Sequence, residues 1–315
     1  MTFLSVAFKS AFSQSSNHLG TGTTVLHGDH DYTGDTQVLA GRLLVEGSIA
    51  SNTWVGEGGM LGGNGIIAGV VTVADGGILA PGRLSLDADF GRLTMGGLVL
   101  SEDALLRFDL DAADGLPGID GDAIHVMAGL NGSSGDLVLD GVLDVNAFSG
   151  FGRGSYRLID FDGALVDNGL RLGDLPGTFD TRQFYIQTGV NGQVNLIVGD
   201  ATGVQFWDGG GSAGDGAISG GSGVWDNGNR HFATADGQVA LPWLGAMAVF
   251  NGEGGTVTLG DNVRFDALQF AVEGYTVAAD AAGQFGLQMD AGIHAIRVDI
   301  GSARIDAAIF GGSSD

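Results

Sequence analysis

Cysteine is absent from the 315-residue chain, and lysine occurs once, at Lys9. Without cysteine there is no disulfide framework and no thiolate metal site. With 13 Lys+Arg against 37 Asp+Glu, the net charge is -24. The twelve arginines are scattered, so no cationic cluster exists to bind phosphate, and nucleic acid is excluded as a partner. Only four prolines occur and no G-X-Y period, which rules out collagen. Glutamate is also scarce, five residues against 32 aspartates. Aspartate suits turns because its short side chain bonds the local backbone, whereas glutamate suits helices. The longest uncharged apolar stretch, residues 239–250, contains Pro242 and is too short to cross a bilayer.

What is abundant is glycine, 59 residues. Glycine is costly inside helices, so this many leave little room for long ones. The hydrophobic share, 44%, is that of a folded protein. Together these features predict an all-β chain of short strands joined by tight turns.

An internal pattern recurs. Gly41-Arg-Leu-Leu-Val-Glu-Gly47, Gly91-Arg-Leu-Thr-Met-Gly-Gly97 and Gly135-Asp-Leu-Val-Leu-Asp-Gly141 share it, and Gly255-Thr-Val-Thr-Leu-Gly260 is a shorter version. Alternate residues of a strand share a face. Leu43 with Val45, Leu93 with Met95, Leu137 with Leu139, and Val257 with Leu259 are therefore paired core candidates, with glycines bracketing each strand. Strands this short need neighbours stacked on both sides, as in a solenoid. Hairpins of a sandwich or barrel are the alternative, and Asp114-Gly115, Asp120-Gly121, Asp140-Gly141 and Asn191-Gly192 are suitable turns for them. Composition shifts across residues 200–228, rich in Gly, which divide the chain. The expected layout is an irregular segment 1–20, a first block 21–199, a linker or loop 200–228 and a second block 229–315. No polar cap closes the last strand, so the second block is expected to be truncated. The first 16 residues do not fit the signal-peptide pattern.

The segment Tyr32-Thr-Gly-Asp-Thr36, set between a short apolar strand and Gly41-Arg-Leu-Leu-Val45, resembles the autotransporter-associated β-strand repeat. Gly58-Gly-Met-Leu-Gly-Gly-Asn-Gly65 and Gly76-Gly-Ile-Leu-Ala-Pro-Gly82 are similar to other repeats of autotransporter passengers. Gly154-Ser-Tyr-Arg-Leu-Ile-Asp-Phe161, Phe184-Tyr-Ile-Gln-Thr188, Trp225-Asp-Asn-Gly-Asn-Arg-His231 and Gly274-Tyr-Thr276 extend the resemblance over residues 21–315. It departs from the pattern at residues 83–89, where Ser-Pro-Gly is replaced. The resemblance implies a right-handed parallel β-helix, exported by type V secretion of a Gram-negative cell and displayed at the outer membrane or released. It implies two partners: a C-terminal outer-membrane β-barrel translocator outside this chain, and a host-surface or cell–cell adhesion partner.

No catalytic, cofactor-binding or metal-binding residue is assigned, and the chain is expected to be a non-enzymatic stalk. Gly210-Gly-Ser-Ala-Gly214 matches the nucleophile elbow and overlaps a Gly-x-Gly-x-x-Gly, but neither precedes a helix, as that chemistry requires. His27 and His30, flanked by Asp29 and Asp31, read as solvated turn residues. A secreted β-helix enzyme acting on polysaccharide would need two opposed carboxylates. Asp109, Asp111, Asp114, Asp120 and Asp122 are the candidates. Structural calcium is the one ion such acids would suit. Trp54, Trp207, Trp225 and Trp243 are expected to pack rung ends or loops. A free-standing secreted solenoid is the remaining reading.

Overall fold

A computed structural model describes residues 14–83, 89–177, 179, 183–199, 203–210, 214–235, 237–290 and 294–311. The chain is all-β with almost no helix among the described residues, a three-residue 3₁₀ turn lying at Leu130–Gly132. It divides into two compact units. One runs to Phe151 and includes Arg157–Pro176; the other comprises Gly152–Tyr156 and the chain from Gly177 onward.

In the first unit the chain shuttles between two sheets. Thr23–Leu26, Gly41–Val45, Gly59–Gly63, Ile78–Pro81, Leu105–Leu110, Val142–Ala147 and Arg171–Leu172 lie side by side in chain order, every neighbour parallel. Ser16–His18, Thr36–Val38, Thr53–Val55, Ile66–Val73, Arg92–Leu100 and Ala123–Val126 form the other sheet, again parallel and in chain order.

Register turns the alternation of each strand into columns. Leu43, Leu61, Leu79, Leu106 and Leu143 stack directly on one another, and none is more than 3% exposed. Val38, Val55, Val73 and Leu100 form a second buried column opposite. Burying a side chain of this size is worth about 1.5–3 kcal/mol. Because an odd shift would send every side chain to the other face, these columns fix the register. Close approach of successive turns demands glycine at Gly65: a Cβ there would collide with the carbonyl of Gly47 in the neighbouring turn.

In the second unit the chain visits three sheets in a fixed cycle. Met247–Phe250, Thr256–Leu259 and Val263–Arg264 are followed by Ala267–Phe270, Thr276–Ala278 and Gly286–Met289, then by Ala295–Val298, Arg304–Ile305 and Ala308–Gly311. Each strand pairs in parallel with its counterpart in the next cycle. Aromatic side chains fill the middle. Trp207, Trp225, Phe232, Phe250, Phe265, Phe270 and Tyr275 are each at most 1% exposed. Phe250 and Phe270, partners in register, stack with centroids 4.9 Å apart and planes 14° from parallel. Two strands, Val204–Trp207 and Gly223–Trp225, lie within the Gly-rich stretch 200–228.

The paired core candidates are borne out: Leu93, Met95, Leu137, Leu139, Val257 and Leu259 are all 0% exposed. Bracketing by glycine holds less generally. Gly97 falls inside Arg92–Leu100, at a register shift after Met95, where the strand bulges instead of turning. The open choice between parallel stacking and hairpins also resolves locally. Asn191-Gly192 does close an antiparallel hairpin between Phe184–Gln187 and Gln193–Val198, with Gly192 at φ 76°. Asp140-Gly141 instead links Leu137–Leu139 to Val142–Ala147, strands of two different sheets. Phe232–Ala233 likewise pairs antiparallel with Val204–Trp207 on one side and Ala240–Leu241 on the other.

Candidate binding surface

The acids named as candidates for carbohydrate cleavage are engaged by the backbone. Asp122, 2% exposed, accepts hydrogen bonds from the Gly91 N–H through Oδ1 and the Asp109 N–H through Oδ2, both at 2.9 Å. Burial pushes the Asp122 carboxyl up to about 8, the two backbone donors opposing and the charge of Asp109 adding to the rise. Asp109 is 8% exposed and accepts from Asn146 Nδ2 at 3.0 Å, and desolvation moves it upward too. Asp120 Oδ2 accepts from the Leu116 N–H at 2.8 Å, closing the loop on itself, and Asp111 Oδ1 accepts from the Gly150 N–H at 2.5 Å. Asp114 occupies a left-handed turn position, φ 56°. These carboxylates brace a loop.

At the repeat-like segment, Asp29 Oδ1 accepts from Ser48 Oγ at 2.8 Å in the next turn. His30 Nε2 is buried without a hydrogen-bond partner among the described residues, and its ring lies 6.5 Å from that of Tyr32. Among the described residues no group of three or more His, Asp or Glu side chains is placed to hold a metal ion. The Tyr-Thr-Gly-x-Thr core has a physical role. Tyr32 OH bonds Thr36 Oγ1 at 2.7 Å, and Thr36 Oγ1 bonds Ser51 Oγ at 2.8 Å, a hydroxyl chain linking successive turns. The elbow-like and Gly-x-Gly-x-x-Gly matches include residues 211–213, and the departure at 83–89 includes 84–88, which lie outside the described residues.

Three of the four tryptophans pack as expected: Trp207, Trp225 and Trp243 are buried. Trp54 is not, and this corrects the expectation. It stands in the middle of Thr53–Val55 and is 38% exposed. Gln37 and Thr72 flank it in register on the adjacent strands, and the row continues through Val99, Val138 and Val166. A shallow cleft of about 230 Å³ lies here, lined by Asp35, Gln37, Asn52, Trp54, Val70 and Thr72. Val70 also borders a second cleft, of about 510 Å³, floored by Gly96 and Gly97 and walled by Val99, Val138, Ser133 and Ser134.

No protein-family model matches the chain. It is 42% identical, over an alignment of 337 residues covering 99% of its length, to the adhesin BmaC autotransporter of Brucella suis biovar 1 (strain 1330). It is also 42% identical over 64 residues, 20% of its length, to an extracellular serine protease of Serratia marcescens. The chain spans about 9% of the adhesin's length, and the second alignment covers 6% of the protease. The autotransporter resemblance read from the sequence is thereby borne out over nearly the whole chain.

Proposed function

We propose, starting from that whole-chain similarity to autotransporter sequence, that this chain is a segment of a passenger serving as a structural and adhesive stalk. Its setting is the cell surface or the secreted space, in keeping with relatives named as an adhesin and an extracellular protease. The architecture of the stalk is a right-handed parallel β-helix. Strands that return in chain order to the same parallel sheets support this reading, with two sheets in one unit and three in the other. Such a stack suits export through a narrow pore, since each turn needs only its predecessor in order to fold.

The segment works without catalysis. Its clustered carboxylates Asp109, Asp111, Asp120 and Asp122 each accept a hydrogen bond from the backbone or a side-chain amide, which supports reading them as braces of the loop. Its partners are the C-terminal translocator barrel and a ligand on another cell.

The observation carrying the reading is the 42% identity to an adhesin across 99% of the chain. The test is display of this chain between a signal peptide and a translocator barrel in a Gram-negative host. Protease should shave it from intact cells, and cells bearing it should adhere better than cells bearing the barrel alone. Full protection from added protease would sink the surface reading, and unchanged adherence would sink the adhesive one.

A further inference from the structure

Strand Thr53–Val55 is built with its polarity reversed. Thr53 faces inward, 2% exposed, with its Oγ1 buried and hydrogen-bonded to nothing among the described residues. Trp54, the largest apolar side chain of the strand, faces solvent. The register explains how this is enforced: Thr53 sits in the inward row with Thr36, Val71 and Leu98, and Val55 in the row with Val38 and Val73. A buried polar group and an exposed aromatic one are the departures that carry information. Such breaks of the local rule are expected where a surface has another task.

The indole is also seated. A Cβ on Gly56 would lie 2.5 Å from Trp54 Cζ3, so the ring lies against the glycine backbone, and any larger residue there would displace it. Asn52 Oδ1 accepts from the Val70 N–H at 3.0 Å, which fixes the amide and leaves its Nδ2 to donate elsewhere. The side chains of Gln37 and Asp35, at the same cleft, make no hydrogen bond to the protein among the described residues.

The geometry points to a binding groove for a neutral oligosaccharide, with Trp54 as its stacking platform. An aromatic face takes the C–H face of a sugar ring, while amides and a carboxylate offer both donors and acceptors to its hydroxyls. A net charge of -24 disfavours anionic glycans. An extended peptide would need an open strand edge. Thr53–Val55 has none, being paired with Thr36–Val38 on one side and Ile66–Val73 on the other. The cleft at Trp54 adjoins the second cleft, at Gly96 and Gly97, where Val70 borders both. Turns repeat every ~4.8 Å across the strands, close to the length of one sugar unit in an extended chain. This gives the adhesive reading a ligand class and rests on that reading only for its biological setting.

The experiment is titration of the purified chain with a panel of neutral oligosaccharides (glucan, mannan, galactan and N-acetylhexosamine fragments), and separately with sulfated and uronic-acid oligosaccharides, followed by calorimetry and tryptophan emission. At least one member should bind. Trp54→Ala should weaken it by about tenfold or more, a change of about 1.4 kcal/mol. Trp54→Phe should retain part of the affinity, and Tm should stay unchanged in both variants. Absence of binding by every member, equal affinity in Trp54→Ala, or binding confined to sulfated or uronic-acid glycans would each overturn the proposal. Displayed on cells, Trp54→Ala should still reach the surface. If wild-type chain binds sugar yet gives no adherence, the adhesive reading falls and the groove stands.

Discussion

Asp122 Oδ2 accepts the backbone N–H of Asp109 at 2.9 Å, so the far end of a loop is tied to the strand from which it departs. The second oxygen holds the N–H of Gly91, which brings a third segment to the same buried carboxyl.

A pH dependence follows from the burial of that carboxyl, which outweighs the two bonds. The carboxyl titrates at about 8 in the folded chain and at about 3.9 when unfolded. The folded state therefore keeps a proton that the unfolded state releases. Its stabilisation is complete below about pH 4, declines as pH rises, and is gone above about pH 8. Thermal unfolding between pH 5 and pH 8.5 should show Tm falling with pH, and Asp122→Asn should flatten the slope. A slope unchanged in the variant would assign the dependence to other groups.

The leucine column predicts a sizeable loss for one truncation. Leu79 is 0% exposed between Leu61 and Leu106. Leu79→Ala should cost about 2–5 kcal/mol, the range for buried leucines that leave a cavity. Chemical denaturation reads it out, and a loss below about 1 kcal/mol would mean that the column relaxes to fill the space.

The hydroxyl chain through Thr36 makes a finer prediction. Thr36→Val keeps the shape but strands Tyr32 OH and buried Ser51 Oγ, and should cost about 1–3 kcal/mol. Thr36→Ser restores the hydroxyl and should recover most of the loss. Equal stability of the two variants would show that the bonds add nothing beyond packing.

The aromatic interior of the second unit should hold longest against denaturant. Aromatic pairs add about 0.5–1.5 kcal/mol beyond their buried area, and Trp225 alone contacts Trp207, Phe232, Trp243 and Phe250. Hydrogen exchange across residues 247–270 should outlast exchange across 36–79. Uniform exchange across the two stretches would contradict this.

How much of this was legible in the sequence depends on what each signal encodes. Alternation marks which residues share a face, so Leu43 with Val45 and Leu137 with Leu139 were readable. It does not say which face is inward. Thr53-Trp54-Val55 read alone would bury the tryptophan, yet Val38 and Val73 on either side pull Val55, and hence Thr53, into the interior. Turn chemistry was ambiguous for a similar reason. Asn191-Gly192 and Asp140-Gly141 look alike locally, and whether the next strand folds back or crosses to another sheet is decided by partners far along the chain. The acids 109–122 suggested a catalytic cluster because spacing shows neither burial nor backbone bonds. Asp122 is hidden by contacts with Gly91, 31 residues away.

The leucine column has a consequence for how such a chain can change in length. Leu43, Leu61 and Leu79 are evenly spaced, 18 residues from one to the next, and make equivalent contacts. Removing or duplicating one interval places leucine on leucine again, and the seam heals without new side chains. A deletion or duplication of 18 residues here would therefore act as a ruler, shifting reach by about 4.8 Å per step.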